Sequence, residues 1–290
     1  MTREVRCDVA VIGAGSGGLS AASGAAQLGC SVVLFEQGEM GGDCLNAGCV
    51  PSKALLAAAD AAARVREAAR LGVHAGEPRV DFAAVMAHVR GAIATIAPHD
   101  SQERFEGLGV QVVRETARFA GPRTVESDSV RVTARKIVVA TGSRPRVPPI
   151  PGLADTPHLT NESVFELERL PEHLLVLGGG PIGLELGQAF RRLGSAVTVV
   201  EAASLLGRED PDHTAVVRRQ LEAEGVRFVM GAAARVEPGP TLVLGDGMRL
   251  DGSRLLVAVG REPSVEALAL DKAGVRLDPK GFIATDGNLR

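Results

Sequence analysis

The chain has 290 residues, 45% of them apolar, enough for large buried cores and more than one domain. Its formal net charge is −3, and no basic cluster stands out. That argues against a nucleic-acid-binding face, and the absence of Trp and Tyr removes aromatic platforms for stacked bases or sugars. No uninterrupted apolar run of about 18 residues occurs, so no membrane span is expected. The first residues lead directly into a strand pattern without a signal-peptide core, so a cytoplasmic protein is expected.

In chain order, Val9-Ala-Val-Ile-Gly-Ala-Gly-Ser-Gly-Gly18 reads as a buried strand entering a glycine-rich turn. An Ala-rich helix follows, then a second strand, Ser31-Val-Val-Leu-Phe-Glu36. Next comes a cysteine-bearing segment, Gly41-Gly-Asp-Cys-Leu-Asn-Ala-Gly-Cys-Val-Pro-Ser-Lys53. Ala54 to Ala69 has strongly helical composition, and a second helix is expected over Phe82 to Leu108. Val110–Val113 and the segments around Phe119, Val130 and Ile137 read as strands, short enough for a small antiparallel insert. Arg144 to Pro157 holds five of the sixteen prolines and reads as an inter-domain crossover. Leu174-Leu-Val-Leu-Gly-Gly-Gly-Pro-Ile-Gly183 and Ala196-Val-Thr-Val-Val-Glu201 then repeat the opening pattern. After Ala258-Val-Gly-Arg261 the chain leaves this second unit, and Val275 to Arg290 heads back toward the first.

The repeat has an offset of 165 residues: Gly13, Gly15, Gly18 and Glu36 match Gly178, Gly180, Gly183 and Glu201. Each copy has the order of a dinucleotide-binding βαβ unit. The first glycine permits the tight turn, the second lets backbone amides approach a pyrophosphate, and the third lets helix pack close to strand. The helix N-terminus adds positive potential, and the acid can accept both ribose hydroxyls. A single GxGxxG is weak evidence; two, each with strand, helix and acid at one spacing, are far stronger. The bland alternative is a doubly wound sheet with a vestigial second site.

Cys44 and Cys49 are five residues apart. On a regular helix their Cα atoms would lie about 8.6 Å apart, beyond the roughly 7 Å that a disulfide spans. A bond between them therefore requires a distorted segment, and Gly48 supplies local freedom. Pro51 suits a first helical turn. Cys49 would then sit near a helix N-terminus with Lys53 one turn on, and both features favour the thiolate. Zinc usually asks for C-x-x-C pairs or nearby histidines, so no metal site is expected. Two inert core cysteines are the other alternative, against which Asp43, Asn46 and Lys53 make a poor core segment. Cys7 and Cys30 read as packing residues. The pair directly follows the first βαβ unit, and a flavin is the usual intermediary between hydride and thiol chemistry. This places FAD in the first unit and a nicotinamide cofactor in the second.

These residues, with Ala140-Thr-Gly-Ser-Arg-Pro145 and Val259-Gly-Arg-Glu-Pro263, resemble the pyridine nucleotide-disulfide oxidoreductases, in the branch of dihydrolipoamide dehydrogenases and mercuric reductases. The resemblance implies an α/β fold of two Rossmann-like, doubly wound, three-layer dinucleotide-binding domains, the second inserted in the first. It implies an FAD-binding domain with the redox disulfide over 1–150 and an NAD-binding domain over 151–272, with 273–290 starting the return. By the same resemblance Cys49 faces the flavin, Cys44 exchanges with substrate, and Lys53 pairs with Glu185. Gly42, Asp43, Thr141, Gly142, Ser143 and the Ala117 backbone contact FAD, and Gly260 borders the nicotinamide cofactor. An acid at Glu201 suits the free ribose of NAD better than the 2′-phosphate of NADP, which tilts the reading toward a dihydrolipoamide dehydrogenase-like enzyme with a disulfide, dithiol or lipoyl-type substrate. A mercuric-ion reductase is the alternative. Asp43, where Thr is common, and Ser264, where Asn is usual, mark a divergent subgroup.

The resemblance further implies a strand ending in Gly-Asp and a C-terminal domain supplying homodimer contacts and a His-Glu acid-base pair. Neither is found in these 290 residues, so the sequence reads as C-terminally truncated, with the dimerisation domain absent. An inactive nucleotide-binding fragment is the non-enzyme alternative. His88, His99 and His213 read as surface or cap residues.

Overall fold

The computed structural model describes residues 2–290. Strand β1 (Arg3–Ile12), helix α1 (Ser16–Gln27) and β2 (Val32–Phe35) open the chain, followed by α2 (Gly42–Asn46) and α3 (Cys49–Glu67). Then come α4 (Phe82–Ile96), α5 (Gln102–Gly107), β3 (Val110–Val113), β4 (Arg118–Gly121), β5 (Thr124–Glu126), β6 (Val130–Val139) and β7 (Ser143–Pro145). The second half runs β8 (His173–Leu177), α6 (Pro181–Leu193), β9 (Ala196–Glu201), α7 (Pro211–Ala223) and β10 (Arg227–Met230). It closes with β11 (Ala233–Glu237), β12 (Thr241–Leu244), β13 (Arg249–Asp251), β14 (Arg254–Val257) and β15 (Arg261–Pro263).

The residues form two compact units. One comprises the chain up to Asn46, Ile93–Arg144 and Arg261–Arg290; the other comprises Ala47–Ala92 and Pro145–Gly260.

The first unit is built on a six-stranded sheet of order β3-β2-β1-β6-β5-β4. Strands β3, β2, β1 and β6 are parallel, whereas β5 and β4 are antiparallel additions. Alternation along the strands feeds two apolar layers. Val11, Val32 and Leu34 pack with Leu19, Ala22 and Phe105 on one face. Ala10, Ile12, Val33 and Phe35 pack with Phe119, Val125, Val132 and Leu268 on the other.

The second unit repeats the logic on a parallel sheet of order β10-β9-β8-β14, beside a three-stranded antiparallel sheet, β11-β12-β13. Leu174, Val176, Val197 and Val199 face one layer, and Leu175, Leu177, Val200 and Val257 face the other. Helices α3 and α4 belong to the first of these layers. Leu55, Ala59, Phe82, Met86 and Val89 are buried with Val176, Phe190 and Leu256.

Two local expectations are corrected. The helix expected over Phe82 to Leu108 ends at Ile96; a short 3-10 turn holding Pro98 follows, and α5 starts afresh at Gln102. Proline cannot continue the α-helical ladder, and the Ser101 hydroxyl accepts the Arg104 N–H at 3.2 Å to cap the new helix. The Val130 and Ile137 segments form one ten-residue strand, β6, which runs parallel to β1, and strand β3 is likewise not part of an antiparallel insert. Its buried Val110 and Val113 place it parallel to β2 at the sheet edge, leaving β4 and β5 as the antiparallel element.

Both glycine turns are sterically closed to larger residues. A Cβ on Gly13 would stand 2.4 Å from the Ala140 carbonyl oxygen, and one on Gly178 would stand 2.4 Å from that of Ala258. Both glycines have positive φ, 102° and 112°. Gly178→Ala is therefore expected to cost about 1–3 kcal/mol or more through overpacking and backbone strain. A lowered urea midpoint for the unfolding of the second unit checks this; an unchanged midpoint contradicts it.

Candidate functional site

The two glycine turns meet their acids through matching hydrogen bonds. In the first unit the Glu36 carboxylate accepts the Ala14 N–H at 2.6 Å and the Gly38 N–H at 2.7 Å. In the second, Glu201 accepts the Gly179 N–H at 2.8 Å and the Ala203 N–H at 2.8 Å. Ala14 and Gly38 are offset from Gly179 and Ala203 by the same 165 residues as the motifs. Each acid is thus held against its own turn, with lone pairs left on both oxygens for further donors.

The geometry at the helix N-termini is duplicated as well. Gly15 and Gly180 are the N-caps of α1 and α6, both extended, and neither helix receives a side-chain cap. The first-turn N–H groups are left to an incoming acceptor, where the helix dipole favours an anion. Gly18 and Gly183 let each helix approach its turn: a Cβ would lie 1.7 Å from the Gly13 carbonyl oxygen and 2.2 Å from that of Gly178.

In the first unit a cleft of about 380 Å³ opens beside Gly13 and Glu36 and is lined by Ala117, Thr141, Arg144, Ser264, Glu266 and Leu268, among others. Gly42 comes so close to Gly15 that a Cβ on it would stand 2.6 Å from the Gly15 Cα. Asp43 opens α2 and pairs with Arg261 at 3.3 Å. Arg261 also donates to the Ser143 hydroxyl at 2.8 Å and to its carbonyl at 2.5 Å. The Gly142 carbonyl accepts the Ser264 N–H at 3.1 Å. Gly13, Gly15, Gly18, Glu36, Gly42, Ala117, Thr141, Gly142 and Ser143 therefore cluster at the strand ends of one unit. Their uncapped amides, oriented acid and cleft fit a dinucleotide such as FAD.

Sequence reasoning missed Glu115, Arg144 and Glu266. Arg144 holds Glu262 at 2.8 Å and forks onto both oxygens of Glu266 at 2.8 and 3.0 Å. That pairing and its own backbone N–H hold the Glu266 carboxyl at about 2, well below the usual 4.5. Hydrogen bonds from Ser127 and then Ser129 bring Glu115 to about 2 as well. Arg144 stood within a quoted motif, but no spacing rule pointed to Glu266, which a short 3-10 turn carries to the cleft.

In the second unit, α3 begins at Cys49, with Gly48 at φ −128° and ψ −110° as its N-cap and no side-chain cap. Cys49 is exposed, Pro51 lies in the first turn, and Lys53 follows one turn on. Lys53 Nζ forms an ion pair with Glu185 of α6. Gly178, Gly180, Gly183 and Glu201 form this unit's cradle, and Gly260, at φ 118°, closes β14's exit with its carbonyl bonded to the Arg146 N–H at 3.0 Å. Cys44 is half-buried in α2 of the first unit. The two cysteines stand on different helices because the chain breaks between Asn46 and Cys49. Cys7 is buried, its thiol donating to the Val9 carbonyl at 3.3 Å, and burial raises its pKa. His88, His99 and His213 are exposed.

Among the described residues, no helix is long and apolar enough to cross a membrane. No group of three or more His, Cys, Asp or Glu is arranged to hold a metal ion among them.

Residues 7–290 match the pyridine nucleotide-disulphide oxidoreductase family, and the chain belongs to that family. Membership implies FAD and a nicotinamide nucleotide as cofactors. Among its relatives, a mercuric reductase of Streptomyces lividans is 38% identical over 98% of this chain. A dihydrolipoyl dehydrogenase of Thermus scotoductus is 37% identical over 97% of it. A solved Cu(II) complex of the HOCl-induced flavoprotein disulfide reductase RclA from Escherichia coli superposes with a TM-score of 0.85 at 27% identity, covering 98% of this chain. The chain spans 62% of the length of the first relative and 63% of the other two.

The Arg144–Glu266 pair gives a test of the cleft wall. A glutamate whose folded value is depressed stabilises the fold fully above its ordinary value and loses that contribution as pH falls through the folded one. Glu266→Gln is expected to flatten the fall in melting temperature between pH 4.5 and about 2. Superimposable acid profiles for the two proteins contradict the assignment.

Proposed function

We propose that the chain carries the electron-transfer part of an FAD- and NADH-dependent disulfide oxidoreductase of the dihydrolipoamide dehydrogenase type. The observation that supports it most is the duplicated cradle, in which Glu36 and Glu201 are held by equivalent backbone N–H groups, in one chain with the Cys44–Cys49 spacing and the Lys53–Glu185 pair. In this reading 1–150 binds FAD and carries the cysteine pair, 151–272 binds NAD, and 273–290 begins the return to the first domain. The cytoplasm is its compartment, where reduced thiols persist, and a homodimer is the working assembly of the whole protein.

Gly13, Gly15, Gly18, Glu36, Gly42, Asp43, Lys53, Ala117, Thr141, Gly142 and Ser143 would hold FAD; Gly178, Gly180, Gly183, Glu201 and Gly260 would hold NAD. When bound, the flavin supplies the means to convert a hydride into a pair of electrons that a disulfide can take up. The rest falls to side chains. Glu201, already tied to Gly179 and Ala203, orients a ribose and disfavours a 2′-phosphate by charge. Lys53 and Glu185 fix the N-terminal turn of α3. In the direction of disulfide reduction, the Cys44 thiolate attacks one sulfur of the substrate and expels the other as a thiolate, which takes a proton from solvent. Cys49 then attacks the Cys44 sulfur, releasing the second substrate thiolate and closing the Cys44–Cys49 bond. The net change is NADH, a proton and a disulfide giving NAD⁺ and two thiols.

A mercuric-ion reductase is the second reading, favoured by the Streptomyces lividans relative. There the two thiolates would bind Hg(II), which takes two electrons and leaves as the metal.

Cys44→Ser in the whole protein is expected to leave bound flavin intact and abolish NADH-dependent turnover of lipoamide; undiminished turnover overturns the proposal. Mercury-dependent NADH oxidation with no lipoamide turnover selects the second reading. Glu201→Ala is expected to raise KM for NADH about tenfold, equivalent to about 1.4 kcal/mol, and to narrow the preference over NADPH. An unchanged ratio of kcat/KM for the two nucleotides contradicts the role given to Glu201.

A further inference from the structure

The second unit contains a second tie between α3 and α6 that the proposed chemistry does not use. Lys53 on α3 pairs with Glu185 on α6, and Asp60 on α3 pairs with Arg192 on α6. In both helices the two partners are seven residues apart. Seven residues are nearly two full turns, so both pairs lie on one seam of two parallel helices, about 10.5 Å apart along it. The charges alternate: cation then anion along α3, anion then cation along α6. A slide of one helix past the other by a turn breaks both pairs without forming replacements.

The apolar part of the seam does not set that position so firmly. It is made from Ala54, Leu55 and Ala59 of α3 against Ala189, Phe190 and Leu193 of α6. Three of these six side chains are alanines, and apolar burial is non-directional, so the charge pairs supply the axial preference along the seam.

The inner pair is built for rigidity. Arg192 is only 18% exposed and Glu224, at the C-terminus of α7, only 15%. Arg192 holds Glu224 by two parallel bonds of 2.7 Å and turns its remaining nitrogen onto Asp60. Gln188 and Gln220 donate to the same Glu224 at 3.0 and 2.9 Å. Burial pushes the Glu224 carboxyl up, but these donors outweigh it and the net shift is downward. Arg66, six residues beyond Asp60 on α3, donates to the Arg192 carbonyl at 2.6 Å. The guanidinium is thus fixed from α7 and presents one immobile prong to α3. Lysine, with no planar fork, could not engage both carboxylates in this way.

We propose that Arg192 and Asp60 act as positioning residues, a lock on the axial register of α3 that holds Cys49 and Lys53 in place relative to the glycine turn opening α6. The inference rests on the reading of Cys49 and Lys53 as redox machinery. Neither Arg192 nor Asp60 touches a reacting atom. They act through the helix, eleven residues from Cys49 in the case of Asp60.

The test is made on the whole chain after mild reduction. The rate at which iodoacetamide alkylates Cys49 is followed by peptide mass spectrometry, which separates it from Cys7, Cys30 and Cys44. Asp60→Asn is the primary variant, because its half-exposed side chain leaves the Arg192–Glu224 pair in place. With the lock gone, α3 can shift along α6, the Lys53–Glu185 pair loosens and the first turn of α3 frays. Its amides and the Lys53 ammonium then favour the thiolate less, and alkylation is expected to slow by about threefold to tenfold. Asp60→Glu should keep the rate within about twofold of the parent chain's, whereas Arg192→Lys should slow it as Asp60→Asn does. A merely structural role would lower the melting temperature of Asp60→Asn without changing Cys49 reactivity in the folded protein. That result, or a failure of Asp60→Glu to keep the rate, overturns the proposal. Alkylation requires no turnover, so persistent lipoamide turnover in Cys44→Ser would sink the redox reading separately and leave this result to stand or fall alone.

Discussion

The structure depends on one repeated constraint: a glutamate at the end of a parallel strand accepts the N–H of the glycine turn that follows the neighbouring strand. Glu36 does this with Ala14, and Glu201 does it with Gly179. The carboxylate draws the turn toward itself, and the missing Cβ atoms let the turn sit against a strand carbonyl and a helix N-terminus together. A turn held in this way exposes uncapped amides in one direction and an acid at a fixed distance from them. The proposed phosphate and ribose contacts both rest on these few atoms.

Around the second cradle the chain adds the feature on which the proposed electron transfer rests. Helix α3 begins at an exposed cysteine and packs along α6, whose own N-terminus is the glycine turn. Lys53–Glu185 ties the N-terminal ends of the two helices. Further along the seam, Asp60, Arg192 and Glu224 form a more enclosed network. An isolated surface ion pair contributes little. This one is tied to a half-buried carboxylate with several donors, and loss of Arg192 itself would leave Glu224 without its main partner.

Much of this was legible from residue order. The duplicated glycines and acids gave both cradles, because the geometry demands those residue types at those spacings. Gly48 and Pro51 signalled the broken helix between Cys44 and Cys49. Pro98 and Ser101, which divide one expected helix into α4 and α5, were legible in principle but were outweighed by the apolar run around them. The edge position of β3 could not be read from four residues, since a short Val-rich strand serves a parallel or an antiparallel neighbour equally well. The Arg144–Glu266 wall and the Arg192 network were not legible at all. Both join residues more than thirty positions apart, and no local period links them.

The claim that both cradles are working dinucleotide sites is tested most directly by stoichiometry. The whole protein, purified without added cofactor and then titrated with NADH under anaerobic conditions, should hold one FAD and one nicotinamide nucleotide per chain. Glu36→Arg should remove the first and spare the second, and Glu201→Arg should do the reverse. A single nucleotide per chain, or loss of both from either substitution, would contradict the account.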